Sequence, residues 1–153
     1  MFHKAIKLNF LEGTAFELTF QSGEVKRYDI SVLFDKYPQL EALRDRELFT
    51  SGRLAGQYGI IWNDELDLEA ETVFEDGETV GVTDVPLGMK LGSVITEARA
   101  SRSVTQTELA SMTGIDQADI SRIERGTANP SVSTLDRIAS ALGFKVEINM
   151  IPR

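Results

Sequence analysis

Hydrophobic positions change their spacing part-way along the chain. Up to about residue 82 they recur at every second position in short runs: Phe2, Ile6, Leu8 and Phe10 alternate loosely, and Phe16, Leu18 and Phe20 alternate against Glu17 and Thr19. A turn at Gln21-Ser22-Gly23 leads into Glu24–Ile30, where Val25, Arg27 and Asp29 oppose Lys26, Tyr28 and Ile30. Period-two runs bounded by turn residues predict strands, here a hairpin or meander. Ser31 has the chemistry of an N-cap for a short helix through Lys36, which Pro38 ends. Leu40, Leu43 and Leu48 predict a second short helical segment over Gln39 to Leu48. Gly52-Arg53-Leu54 and Gly59-Ile60-Ile61-Trp62 predict one bent strand or two short ones, and Asp64 to Leu68 with Thr72 to Phe74 close the unit. Glu78–Val85 is either a last strand or an extended connector.

Beyond Thr83–Gly88, which has the composition of a short linker, the apolar period becomes helical. Leu91, Val94, Ile95 and Ala98 predict a helix from about Lys90 to Arg102. Thr105 with Glu108 three residues later forms the capping-box pattern, and the short helix that follows turns Leu109 and Ala110 inward. Gly114 stops it, Ile115 plugs the corner, and Asp116 is placed to cap a further helix carrying Ile120 and Ile123 and ending at Gly126. Two short helices across a tight glycine-containing turn form a helix-turn-helix, whose second helix has the shape to enter a DNA major groove. Leu135, Ile138, Ala139 and Leu142 predict a core helix over Ser133 to Leu142, ended by Gly143. Phe144 to Met150 then alternates strictly and predicts a terminal strand. A lone strand is unstable, so it is expected to pair with the N-terminal sheet or with its twin in a dimer. The fold class is α+β: residues 1–82 form a small α+β domain with an antiparallel sheet, and residues 88–153 an all-α domain with the appended strand.

Charge supports the division. The 153-residue chain has a net charge of −8, an awkward sign for a partner of nucleic acid. Residues 88–153, however, hold eight Lys/Arg against seven Asp/Glu, whereas residues 1–87 hold eight against seventeen. The acidity belongs to the first domain, which repels phosphates over about 8–10 Å in physiological salt and is therefore expected to face away from them. A short linker implies docked rather than freely tethered domains.

Thr105 through Gly143 resembles the Cro/repressor-like (XRE-type) helix-turn-helix family, matching T-Q-x-x-L-A-x-x-x-G-I-x-Q-x-x-I-S-x-x-E-R-G-x-x-x-P-S-x-x-T-L-x-x-I-A-x-A-L-G position by position. The resemblance implies a transcriptional regulator of repressor type that binds double-stranded DNA as a homodimer. It also implies that Arg99 pairs with Glu124; phosphate contact is the alternative role for Arg99. Gln106, in the first turn of its helix beside Thr105, is placed to hold a phosphate. Gln117 and Ala118 open the recognition helix, with Ser121 and Arg122 one turn on. A glutamine can bond adenine N6 and N7, an alanine can meet a thymine methyl, and Arg122 has the donors for guanine or for a phosphate. Asp119 is repelled by the backbone unless it accepts from cytosine N4 or turns to solvent. Asn129, Ser131 and Thr134, beyond Thr127, suit phosphates of the opposite strand. The ending A-L-G-F-K-V-E-I is similar to antitoxin-type members, whose terminal strands pair between subunits.

F-E-L-x-F-x-x-G-E-x-x-x-Y-D followed by G-I-I-W-N-D-E-L-D-L resembles a small bacterial domain-of-unknown-function family over about residues 2–75. Glu65 stands where that family's W-x-D-G-x-D-L pattern has glycine. Stand-alone members are often encoded beside small toxin-like proteins, which points to a protein partner or a small effector for this domain. The second functional reading follows: an antitoxin-like protein that binds a partner through residues 1–82 and autoregulates through DNA.

Catalysis and metal chemistry lack their parts. There is no cysteine and the single histidine, His3, lies at the N-terminus, so neither a His-based triad nor a zinc–water site can be assembled. The carboxylate run from Asp64 to Glu78 lacks the D-x-D-x-D-G loop spacing of a calcium site, and its alternation with Leu66 and Leu68 is that of a half-buried strand. Gly52, Gly56 and Gly59 precede no helix and make no phosphate cradle. No enzyme activity and no cofactor are expected. MFHKAIKLNF is too short and charged for a secretory segment and no apolar run reaches membrane length, so a cytoplasmic protein without membrane contact is expected.

Overall fold

The computed structural model describes residues 3–153, so the expectation placed on Phe2 lies outside the described residues. The chain divides into two compact units between Val85 and Pro86.

In the first unit β1 (Ala5–Phe10), β2 (Ala15–Phe20), β3 (Glu24–Asp29) and β7 (Glu78–Val82) form an antiparallel sheet in the order β1-β2-β3-β7. Register follows the alternation. Phe16 stands opposite Tyr28, and both are buried with Leu18 and Phe20 on one face. On the other face Glu17 opposes Arg27 and their side chains meet at 2.8 Å. A smaller sheet of β4 (Arg53–Leu54), β5 (Gly59–Asn63) and β6 (Leu66–Glu69) is likewise antiparallel. Asn63 tightens the β5–β6 turn by accepting from the backbone N–H groups of Glu65 and Leu66 at 2.9 and 3.0 Å. This side-chain-made turn keeps Glu65 at negative φ, since Ser103 is the one described non-glycine residue with positive φ. Phe16, Phe20, Phe49, Ile60 and Val73 share one core.

Several predicted boundaries moved. The carboxylate of Asp29, not Ser31, caps the first helical turn by accepting from Ser31 N at 3.0 Å, and the resulting 3-10 helix ends at Leu33. Pro38 opens a second 3-10 helix, Pro38–Arg44, because its missing N–H is no loss in a first turn. A short α1 (Arg46–Thr50) follows. Residues 72–74 lie within α2 (Ala70–Asp76), and Glu78–Val82 resolves as an edge strand beside β3. His3, near the N-terminus, is tied to α2: its backbone N–H donates to Glu71 at 2.7 Å, and its ring stacks on Phe74 at 3.4 Å between centroids.

The second unit packs α3 (Leu87–Ser101), α4 (Gln106–Thr113), α5 (Gln117–Glu124) and α6 (Val132–Ala141) around Ile95, Leu109, Ile120, Ile123, Ile138 and Leu142. α3 starts at Leu87, three residues ahead of the predicted Lys90, because Pro86 is already set for a helix entry and its carbonyl accepts from Met89 N. Gly92 and Ile95 form the inner face of α3, whereas Val94, expected inside, is exposed.

Phe144–Met150 joins neither sheet, so the predicted terminal strand has no ladder in this chain. Phe144 is held locally instead. Its N–H donates to Ala139 O at 2.8 Å, and the Arg102 guanidinium lies 4.7 Å over its ring. Among the described residues no helix is long and apolar enough to cross a membrane.

Candidate nucleic-acid interface

The interface is built from the starts of α4 and α5. Thr105 Oγ1 accepts from Glu108 N at 3.1 Å while Glu108 returns a carboxylate oxygen to Thr105 N at 2.7 Å, a complete capping box. The backbone N–H of Thr105, with its side chain, holds the Glu108 carboxyl below the usual carboxylate range. This reciprocal cap makes Gln106 the first residue of α4. Gly114, at φ +72°, reverses the chain, and Gln117 becomes the first residue of α5. Asp116 occupies the capping position of α5 without a side-chain capping bond.

Four side chains from three helices then connect in line. Arg99 of α3 donates to Glu124 of α5 through Nε at 2.7 Å and Nη2 at 3.1 Å, and through Nη1 to Val104 O at 2.9 Å. Glu124 is 1 % exposed. It accepts a further bond from Gln106 Nε2 at 2.8 Å, and Gln106 Oε1 accepts from Gln117 Nε2, also at 2.8 Å. The buried carboxylate sets the polarity of the series. An ionised Glu has no proton to donate, so the Gln106 amide must turn its NH2 inward and its carbonyl outward. Gln117 then spends one N–H on Gln106 and keeps its carbonyl and second N–H facing solvent.

The other predicted residues are distributed around this axis. Ala118 and Arg122 are exposed on α5, and Ser121 is half-buried. Ser121 Oγ accepts from Arg125 Nη1 at 2.6 Å. Asp119 forms an ion pair with Arg122 one turn on, both side chains about half exposed. Ser131 caps α6, accepting from Thr134 N at 3.1 Å and lying 2.9 Å from Thr134 Oγ1, while Asn129 is exposed in the loop before it. Both ends of the Gln106 amide make bonds within the protein, to Glu124 and from Gln117, which leaves its second N–H and the helix-end N–H groups for an anion. Four partnerships were not anticipated: Gln106–Glu124, Gln106–Gln117, Asp119–Arg122 and Arg125–Ser121. Only the third has a sequence signature, the opposite charges at i and i+3 of a helix.

This geometry defines a helix-turn-helix unit with a rigid, polar outward edge. Residues 95–148 match the Helix-turn-helix (HTH_3) family, and the chain belongs to that family. The chain is 40% identical over 58 residues to the immunity repressor protein of Bacillus phage phi105, an alignment that covers 38% of this chain and 40% of that protein. It is 36% identical over 61 residues to the ImmF control region 10 kDa protein of the same phage, covering 40% of this chain and 68% of the relative. Among solved structures, the clp gene regulator ClgR from C. glutamicum aligns over 43% of this chain and 85% of its own, with 30% identity and a TM-score of 0.41. The chain thus spans about 40% of the length of the phage immunity repressor.

Proposed function

We propose that this chain is a sequence-specific, double-stranded-DNA-binding transcriptional regulator of repressor type, acting as a homodimer through the second unit. The supporting observation is Gln117, whose outward amide is fixed by Gln106 at the start of α5. A bidentate amide–adenine contact needs both amide atoms held in one plane, and a prearranged side chain loses little rotamer freedom on binding. The proposed contact set is Thr105, Gln106, Gln117, Ala118, Ser121, Arg122, Asn129, Ser131 and Thr134, with Arg99 and Glu124 as its internal brace. Membership of the helix-turn-helix family and the likeness to a phage immunity repressor support the same reading.

Gln117→Ala is expected to weaken binding to a selected operator by about 1–3 kcal/mol and to relax preference at one base position. Titration of parent and variant against operators enriched from random duplexes measures it. Equal affinities would remove Gln117 from the readout, and failure to enrich any duplex would remove the function.

The dimer is supported by the tail. Val146, Ile148, Met150 and Ile151 are exposed, and Phe144 and Val146 border an apolar groove of about 400 Å³ lined by Leu91, Val94 and Leu135. Half-sites one helical turn apart also need two recognition helices. Sedimentation at micromolar concentration is expected to give twice the chain mass, and truncation after Gly143 to return the monomer.

The antitoxin-like alternative is favoured by a cleft in the first unit. A hollow of about 520 Å³ is lined by Glu65, Asp67, Glu69 and Asp76 beside Lys36 and Tyr37, an acidic surface that complements a basic protein. Recovery of one small basic protein bound to residues 1–82 distinguishes this alternative.

A further inference from the structure

The Asp119–Arg122 pair is hard to assign to stability. Both side chains are about half exposed, at 47% and 53%, and they lie one turn apart on the outer face of α5. Exposed pairs at helical spacing contribute little, because solvent screens the attraction and two flexible side chains must be immobilised. A carboxylate on a surface that meets phosphates also opposes binding at long range. Its position beside Arg122, in the same helix as Gln117, favours a role in what Arg122 recognises.

We infer that Asp119 and Arg122 act as one reader of a G·C base pair, a specificity that rests on the DNA-binding function proposed above. Arg122 supplies two parallel donors to guanine O6 and N7. Asp119 holds the guanidinium in that plane and, with its remaining lone pairs, accepts from the N4 amino group of a cytosine. The donor and acceptor patterns fit only this pair in the major groove: thymine and adenine place an acceptor, a methyl or an amino group where one of the two side chains needs the opposite partner. The carboxylate keeps most of its ionic surroundings, because Arg122 continues to neutralise it while bound. Asp119 is therefore a positioning and specificity residue that lowers general attraction to DNA and raises discrimination.

These two effects have opposite signs, and the test reads both. Operators are enriched from random duplexes with the parent chain, and the affinities of parent, Asp119→Ala and Arg122→Ala are measured on the enriched site, on each single-base variant of it and on unrelated duplex. The parent is expected to require G·C at one position beside the Gln117 contact. Arg122→Ala should lose roughly tenfold discrimination at that position and leave the other positions unchanged. Asp119→Ala should bind unrelated duplex more tightly than the parent while losing discrimination at the same position. Both variants alter exposed residues, and an unchanged helical circular dichroism spectrum confirms that they remain folded. If Arg122→Ala weakens every duplex equally, Arg122 clamps a phosphate and the inference is overturned. The inference also fails if Asp119→Ala tightens all duplexes without loss of discrimination, since the carboxylate then only repels. A parent that enriches no duplex overturns the DNA-binding function itself, a result distinct from either of these.

Discussion

Replacing Glu124 with alanine is expected to remove about 3–5 kcal/mol of unfolding free energy from the second unit. The carboxylate is 1% exposed and its partner Arg99 only 17% exposed in the side chain, so the pair lies out of water. Removing the acid strands a guanidinium beside apolar helices and leaves Gln106 Nε2 without its acceptor. Small domains are stable by about 5–15 kcal/mol, so this is a large share. Breaking the pair and removing it are different experiments. Arg99→Met combined with Glu124→Met replaces both charges by apolar chains, and a buried pair exchanged in this way is often neutral or stabilising. The double variant should therefore recover most of the stability while remaining defective in DNA binding, because Gln106 and Gln117 have lost their anchor. Urea unfolding followed by helical circular dichroism measures the loss, with fluorescence of Trp62, the single tryptophan, reporting on the first unit as an internal reference. A cost below 1 kcal/mol for Glu124→Ala would show that water reaches the pair.

The second large effect is expected at Gly126, and it is separable from a similar-looking site. Gly114 and Gly126 both end helices with left-handed φ, at +72° and +76°. An added Cβ at Gly114 meets nothing within 4 Å, so Gly114→Ala should cost only the backbone term, about 1–2 kcal/mol. At Gly126 the same carbon would lie 2.8 Å from Met89 Cα and 2.9 Å from Met89 N. That contact is with main chain at the start of α3, which cannot rotate away as a side chain would. Overpacking of this kind adds about 1–3 kcal/mol to the strain, so Gly126→Ala should cost about 2–5 kcal/mol. Thermal unfolding of the two variants side by side checks the difference. Equal midpoints would mean that α3 yields without cost.

Legibility differed between the two units for physical reasons. In the second, caps and stops are local chemistry: Thr105 with Glu108, Gly114, Gly126 and Gly143 each act within four residues, so their positions follow from spacing. In the first unit the alternating core of β2 was equally readable, but the elements between β3 and β7 were not. Asp29 displaced Ser31 as a cap because both side chains can accept from a backbone N–H two or three residues further on, and sequence does not rank the two starting points. Pro38 was read as a breaker, yet proline also suits a first turn, and only the chain's path decides between these uses. For the tail, alternation reports which residues share a face, and it does not say which strand lies beside them; among the described residues of this chain there is none. At the interface, the residue types on α5 were apparent and the Arg99–Glu124 pair came with the family resemblance, while the line that extends it through Gln106 to Gln117 was not apparent. It depends on how three helices cross, and no pairwise spacing encodes that.

That line also limits how the protein can change. Gln117 is exposed, but its amide is the last link of a series that ends in a buried charge, so altering it disturbs groups inside the unit. Ala118 and Arg122 have no such tether to the interior. On the DNA-reading role proposed above, variation at these two positions redirects the surface without loosening the unit, whereas a new residue at 117 needs a compensating change at 106. Divergence among descendants of this chain should therefore proceed in single steps at 118, and in paired steps at 119 and 122 and at 106 and 117.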